Sequence, residues 1–436
     1  MDIYKKRDYF FYLSLLNLFW VGMNCPDLSQ GVFFLCTALL LVFFNDRQDD
    51  KIPLGVLGIL IAYLLLHYIP LLLFGFIKSF QFIKEPLLII ACYKYGYFLG
   101  RSRVKEWPGG IIFVLLAMVS GFVVFAFLSI YLAPNISMYT AQEAGGAKAA
   151  RTGIMIWTGK AGGFGPILGI QGNLGTAFLP VIMFGALHEV ILSKKIYLLT
   201  ICISLIFIVS GLYTNVLLKN RGPFIIIAAS TIIIGVCNIV FGPNRLTPKK
   251  LTKKLILLIT VICGSLVLFN YMPTLDFSHM GIVSRFTSEG HGSPRTLFWK
   301  NCIQIIVNNP LGGREEDFGH TYAHNIWLDV GYESGIPAMI CLMIFHFIHF
   351  KDMFDLIVLR LPIHPGVIYG MIAMFFIIFI SLFTEPIGKG YTIYYSMTFF
   401  YCGLLKRLKT DGLNLKKEQI LYEINHRIRY ARRLSA

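Results

Sequence analysis

Charged residues are scarce in this sequence, and acidic residues are the scarcer kind. Of 436 residues, 23 are Asp or Glu and 39 are Lys or Arg, so charged residues make up 14% of the chain and hydrophobic residues 56%. A soluble domain of this size cannot bury so many apolar side chains. The apolar runs are continuous and lack the polar–apolar alternation of a transmembrane β-barrel. The sequence therefore predicts an all-α, polytopic membrane protein.

Several kinds of site are also missing from the sequence. The nine cysteines have no paired spacing such as C-x-x-C, so we expect neither disulfides nor structural zinc. A D-x-D pair, which would hold a metal against a nucleotide sugar, is absent. No aromatic-interleaved basic domain accompanies the net charge of +16, so nucleic acid is not an expected partner. We expect no metal and no cofactor.

Apolar runs of suitable length predict about twelve transmembrane helices in a single integral membrane domain, residues 1–436. If both termini are cytoplasmic, the inner connecting segments hold more than twice as many Lys and Arg residues as the outer ones, as the positive-inside rule requires. This orientation gives a first periplasmic loop at 133–171, a large periplasmic loop at 272–333 before the tenth span, and a basic cytoplasmic tail at 406–436. The predicted spans lie near 9–24, 31–44, 54–75, 82–99, 109–132, 172–191, 196–215, 222–241, 255–271, 334–350, 365–382 and 390–405.

Three polar residues fall on the predicted periplasmic side. Arg221 lies in a very short turn, Arg295 begins a helical pattern in the large loop, and His324 lies just before the tenth span. Arginine suits a diphosphate because its planar fork makes two charge-assisted hydrogen bonds, and histidine titrates near neutral pH and suits proton transfer. Alternatively, Arg221 is a topology anchor, Arg295 pairs with a nearby glutamate, and the histidine is structural, with His291 and His320 as rivals in the same loop.

Further polar residues of the two loops are candidates for binding substrate. Asn325 either orients the imidazole or a sugar hydroxyl, or caps the next helix. Arg151 lies in the glycine-rich first loop, and Arg285 and Arg314 lie in the large loop. The turn Asn309-Pro310-Leu311-Gly312-Gly313 is expected to end one helix and redirect the chain.

Together these motifs resemble the O-antigen ligase/polymerase superfamily. The resemblance rests on Arg221-Gly222, on R-x-x-x-W from Arg295 to Trp299, on N-P-L-G, on H-N-x-x-L from His324 and on G-I-P ending at Pro337. The sequence Gly312-Gly313-Arg314 departs from the G-x-G that many relatives have after Pro-Leu.

The resemblance implies a GT-C-like helical fold in a bacterial inner membrane, with glycosyl transfer at the periplasmic face. The donor would be a saccharide on undecaprenyl diphosphate, no metal would take part, and membrane lipid and a chain-length regulator would be further partners. Arg221 and Arg295 would hold the diphosphate, and His324 would assist the acceptor hydroxyl.

Two activities within the superfamily remain open. A polymerase of O-antigen or a related surface polysaccharide, which joins two lipid-linked glycans, is favoured, and a ligase that transfers the glycan to lipid A core is the alternative. A secondary transporter or a flippase for the lipid-linked sugar is a further alternative. The two halves of the sequence show no repeat, and the polar residues cluster at one face, which argues against transport.

Overall fold

The computed structural model shows a helical protein. It describes residues 3–23, 52–100, 109–131, 153–154, 161–162, 165–184, 187, 190–191, 193–218, 222–241, 252, 256, 294–313, 323–384, 387 and 392–434. One small antiparallel ladder, in which Gly153–Ile154 (β1) pairs with Ala161–Gly162 (β2), is the exception among these residues. The prediction of a helical fold is confirmed, apart from this ladder.

The helices are numbered here in chain order over the described residues. They are α1 Ile3–Gly22, α2 Leu54–Leu73, α3 Ser79–Leu99, α4 Gly109–Tyr131, α5 Gly165–Thr176, α6 Phe178–Met183, α7 Lys194–Leu217, α8 Gly222–Phe241, α9 Pro294–Asn308, α10 Ile326–Val358, α11 Pro365–Thr384 and α12 Thr392–Leu434.

Four of these helices are long and apolar enough to cross a membrane. They are Leu54–Leu73, Gly109–Tyr131, Lys194–Asn215 and Pro365–Phe383, and shorter apolar helices occur at Phe11–Gly22, Leu168–Met183 and Ile226–Cys237. The predicted span at 31–44 and most of that at 255–271 lie outside the described residues. The count of twelve spans therefore stays a prediction.

The buried centre of the bundle is formed by α4 and α11. The most apolar stretches of these helices are 72% and 78% buried, whereas that of α7 is only 28% buried. A helix that is apolar on every side and largely exposed suits a lipid environment, because lipid then covers the outward-facing side chains. The bundle thus has an inner pair of helices and a peripheral α7.

The helices α3 and α12 pack with their backbones in contact. A Cβ added at Gly96 would overlap the carbonyl oxygen of Phe400, and one added at Gly403 would overlap that of Tyr93. Small residues permit this close approach in membrane proteins, where close packing replaces much of the hydrophobic driving force. The contact fixes the position of α12, which lies alongside the other elements that carry the candidate site.

Ion pairs gather at the end of the bundle that the basic residues predict to be cytoplasmic. Asp352 of α10 is 1% exposed and pairs with Lys409 at 2.8 Å and Lys406 at 3.2 Å, both from α12. Asp355 pairs with Lys409 and with Lys351. Hydrogen bonds from these lysines lower the pKa of Asp355 against the opposing effect of burial. These pairs tie α10 to α12.

Candidate functional site

The residue before His324 is held at both of its polar backbone atoms. The indole Nε1–H of Trp299, on α9, donates to the carbonyl oxygen of Ala323 at 2.7 Å. The backbone N–H of Ala323 donates to Oδ1 of Asp329, on α10, at 2.7 Å. Ala323 itself is fully buried. Two different helices therefore fix the backbone on which His324 stands.

His324 has a left-handed backbone conformation, with φ of 56°. This region is uncommon for residues other than glycine, although histidine is among the residues enriched in it. The side chain is half-buried. The chain bends here, between Ala323 and the extended Asn325 (φ −150°), after which α10 begins.

Asn325 is the N-cap of α10. Its Oδ1 accepts hydrogen bonds from the backbone N–H groups of Trp327 at 3.1 Å and Leu328 at 3.3 Å. Capping of this kind satisfies N–H groups that have no partner in the first turn of a helix. Of the alternatives raised by the sequence, the structure shows the capping function. Because two N–H groups are taken, the helix terminus has fewer donors left for an anion.

The helix α10 folds back on itself at Gly335. Residues 19 positions apart would be separated by about 28 Å along a straight α-helix. Yet Nε1–H of Trp327 donates to Nδ1 of His346 at 3.1 Å. Gly335, with φ 86° and ψ 175°, breaks the helix between them. The element is therefore a sharp V, with a short arm at 326–334 and a long arm at 336–358.

The turn after α9 packs into the vertex of this V. The N–H of Ile336 donates to the carbonyl oxygen of Pro310 at 2.8 Å, and that of Gly313 donates to the carbonyl oxygen of Glu333 at 3.3 Å. A Cβ on Gly335 would lie 2.5 Å from the Pro310 oxygen, and Pro337 fits the first turn of the long arm. Two motifs that are separate in sequence, N-P-L-G and G-I-P, thus form one contact.

A buried pair joins the vertex to α2. The Ser334 hydroxyl donates to the carbonyl oxygen of His67 at 3.0 Å, and Nδ1 of His67 lies 2.8 Å from the same hydroxyl oxygen. Since the hydroxyl proton goes to the carbonyl, Nδ1–H of His67 donates to Ser334. This reciprocal pair fixes the short arm against a helix long enough to span the membrane.

An apolar cavity of about 750 Å³ lies between the two arms and their neighbours. The volume falls within the range of roughly 300–1,000 Å³ that is usual for ligand sites. Several lining side chains are also exposed on the outer surface of the bundle, Phe347 at 71% and Met343 at 49%. The cavity therefore opens sideways. It is lined by Ile303, Asn325, Trp327, Leu328, Met339, Ile340, Met343, Ile344, His346, Phe347, Phe350 and Phe383.

The nearby thiol of Cys302 is not a nucleophile. Burial, together with the charge of Asp329, raises the pKa of this thiol to about 12. Its sulfur lies 3.7 Å from the carbonyl oxygen of Leu328, within reach of a weak S–H hydrogen bond. A protonated thiol attacks poorly, so covalent catalysis by Cys302 does not fit this site.

Among the arginines singled out by the sequence, Arg295 is the one whose backbone the structure describes. The residue lies in the first turn of α9, four positions before Trp299, and residues at this spacing share a helix face. The other arginines singled out by the sequence lie outside the described residues: Arg151, Arg221, Arg285 and Arg314. Their roles stay predictions.

Sequence reasoning missed the residues that hold the site together. Trp299 was noted only as the end of a motif, and Asp329, Ser334 and His346 had no assigned role. One signal was available for Trp299, because a partly buried indole N–H usually finds an acceptor. The indole N–H of Trp299 therefore indicated a polar contact on the helix face that Trp299 occupies.

Comparison with known proteins found one family model that matches part of the chain. No curated protein matches the chain significantly. A family model described as O-antigen ligase matches residues 206–343, a segment that contains α9, His324 and the V-shaped start of α10. Members of this family are glycosyltransferase-like membrane enzymes that act on lipid-linked glycans. The match to this segment supports the resemblance of the chain to the O-antigen ligase/polymerase superfamily.

Proposed function

We propose that the protein is a polymerase of O-antigen or a related surface polysaccharide. It transfers a glycan from undecaprenyl diphosphate to a lipid-linked repeat unit at the periplasmic face of a bacterial inner membrane. The match of residues 206–343 to the O-antigen ligase model supports glycosyl transfer between lipid-linked substrates. An apolar cavity in the structure supports a lipid-linked donor.

The apolar cavity close to the start of α10 is the observation that supports a polyprenyl-linked donor. It is lined by Asn325, the residue that follows His324, and continues along the long arm as far as Phe350. Its outer wall consists of exposed apolar side chains such as Phe347 and Ile340. A polyprenyl chain entering from the bilayer would bury its apolar surface there and bring its head group to His324.

The arrangement supports a direct displacement. The bond between the anomeric carbon and the diphosphate oxygen breaks as the acceptor hydroxyl oxygen bonds to that carbon. The hydroxyl proton passes to the imidazole of His324, and polyprenyl diphosphate leaves with the electron pair of the broken bond. General base catalysis of this kind contributes about 10²–10⁴-fold in rate.

Arginine side chains would stabilise the leaving diphosphate. The side chain of Asn325 already engages two backbone N–H groups at the start of α10, so we assign phosphate recognition to side chains. Arg295 lies one turn before Trp299 in α9, and the contact of the Trp299 indole with Ala323 supports a role for Arg295 near His324. Fixed guanidinium groups in a partly dry cavity oppose the charge that develops on the phosphate. Arg221, which directly precedes α8 in the sequence, would supply the second such group.

A ligase is the second candidate, because the matched family model is described as O-antigen ligase. Both activities use the same donor and differ in the acceptor. The cavity supports the binding of a lipid-linked donor, which both activities use, and so does not distinguish a polymerase from a ligase.

Analysis of surface glycolipid after deletion of the gene tests the proposal. Lipid A core that carries a single repeat unit, with the polymer ladder lost, is the result expected of a polymerase. Core without any repeat, and polymer retained on undecaprenyl diphosphate, would identify a ligase. Complementation with His324→Ala should fail although the protein is inserted in the membrane, and full complementation would overturn the assignment of the site.

A further inference from the structure

The backbone around His324 is held from outside its own turn. The two polar backbone atoms of Ala323 bond to Trp299 and to Asp329, each at 2.7 Å. Asp329 is 7% exposed. Trp299 lies in α9, 24 residues before Ala323 in the sequence. Ala323 is not part of a helix, so these bonds replace those that secondary structure would otherwise provide.

The next residue needs such support. The left-handed conformation of His324 costs free energy for a residue with a side chain, and it persists only where the surrounding structure determines it. We propose that Trp299 and Asp329 are positioning residues, which hold Ala323 so that the imidazole of His324 meets the acceptor hydroxyl. This inference rests on the proposed function, in which His324 is the base.

Trp299 also sets the distance between two functional elements. The helix α9 carries Arg295 one turn before Trp299, and the indole hydrogen bond fixes this helix against the residue that precedes His324. The bond therefore links the position of Arg295, the proposed phosphate-binding residue, to that of His324, the proposed base. Loss of the bond should shift His324 relative to the anomeric carbon, and a misplacement of about 1 Å can reduce the rate about 10²-fold.

The expected effect is on turnover more than on donor binding. The polyprenyl chain occupies the cavity between the arms of α10, whose side walls contain neither Trp299 nor Asp329. The variant Trp299→Phe keeps an aromatic ring but has no N–H to donate. Asp329→Asn retains an acceptor oxygen for the Ala323 N–H, whereas Asp329→Leu has none.

The test uses the full-length protein in lipid nanodiscs with a polyprenyl-diphosphate-linked saccharide as donor, under steady-state conditions at varied donor concentration. Trp299→Phe and Asp329→Leu should lower kcat at least about tenfold with donor KM within about threefold. Asp329→Asn should retain most of the activity that Asp329→Leu loses. In a His324→Ala background, Trp299→Phe should lower the residual rate little further, because both changes act through one group.

The outcomes separate the two proposals. A Trp299→Phe variant with the kcat of the wild type, or one that loses the same factor with and without His324, would overturn the positioning role alone. Full activity of His324→Ala would overturn the base and the positioning role together. Thermal unfolding of each purified variant identifies a general loss of folding. If Asp329→Leu is unfolded, the activity of Asp329→Asn tests the positioning role: activity near that of the wild type supports it, and a large loss of kcat in a folded Asp329→Asn protein contradicts it.

Discussion

Trp327 and His346 are hydrogen-bonded partners within one helical element, although 19 residues separate them. Their contact closes the V of α10, and both side chains line the apolar cavity. Since tryptophan is only a donor, Nδ1 of His346 is the acceptor, and the neutral ring carries its proton on Nε2. The shape of the cavity thus depends on one neutral histidine.

Removal of this hydrogen bond should loosen the V. Trp327→Phe should cost about 1 kcal/mol in the free energy of unfolding, because the aromatic packing stays and one buried hydrogen bond is lost. A double-mutant cycle with His346→Phe, followed by thermal unfolding in detergent, measures the coupling. Strictly additive effects of the two substitutions would contradict a direct interaction.

Gly335→Ala should damage both folding and activity. The added Cβ would lie 2.5 Å from the carbonyl oxygen of Pro310, and φ of 86° with ψ of 175° is unfavourable for alanine. Backbone strain alone costs about 1–3 kcal/mol. Gly58→Ala is the matched control, since a Cβ there meets nothing within 4 Å. Equal melting temperatures for the two variants would show that the vertex is not a strained, specific turn.

Arg295→Lys should retain little activity. A lysine ammonium is a point charge and does not reproduce the two parallel hydrogen bonds of a guanidinium group. Arg295→Ala should lose about 10²–10³-fold in kcat, with the lysine variant in between. Lys300→Ala, an exposed change on the same helix, should stay near the wild-type rate. An active Arg295→Ala enzyme would remove this residue from the proposed site.

Narrowing of the cavity should weaken the binding of the lipid-linked donor. Ile340→Trp places extra volume in the wall, and overpacking of about 1–3 kcal/mol corresponds to roughly a tenfold rise in KM or more. Ile206→Trp is the control, because Ile206 is 60% exposed on α7 and does not line the cavity. The comparison uses donors with long and very short prenyl chains. A KM unchanged for the long-chain donor would exclude this cavity as its binding site.

The ion pairs at the other end of α10 should contribute to stability. Asp352→Asn leaves Lys406 and Lys409 without their buried carboxylate, and loss of one partner of a buried pair costs about 3–5 kcal/mol. Lys351→Met removes a lysine that is 64% exposed, and it should cost less than about 1 kcal/mol. Thermal unfolding in low and high salt distinguishes them, and equal destabilisation would contradict the importance of burial.

Much of the helical arrangement can be predicted from the apolar runs. The helices α2, α4, α7 and α11 lie where continuous hydrophobic segments predict them, because length and composition suffice for that purpose. The capping function of Asn325 was also among the stated alternatives. The signals that predict these helices and this cap come from residues that are neighbours in the sequence.

The fold-back of α10 is not local and was not predicted. The sequence of 326–358 reads as one helical segment apart from Gly335 and Pro337. Nothing in the sequence shows that Gly335 meets Pro310, or that Asp329 bonds to a backbone N–H six residues before it. Such contacts depend on which helices become neighbours, and helix propensity contains no information about that.

The sideways opening of the cavity has a kinetic consequence. A donor that enters through the wall formed by Phe347 and Met343 arrives by two-dimensional diffusion within one leaflet and never crosses bulk water. Turnover should then follow the mole fraction of donor among the surrounding lipids, and dilution of the whole suspension should leave it unchanged. Added inert phospholipid would slow the enzyme at constant bulk donor concentration, because it lowers the mole fraction of donor in the membrane.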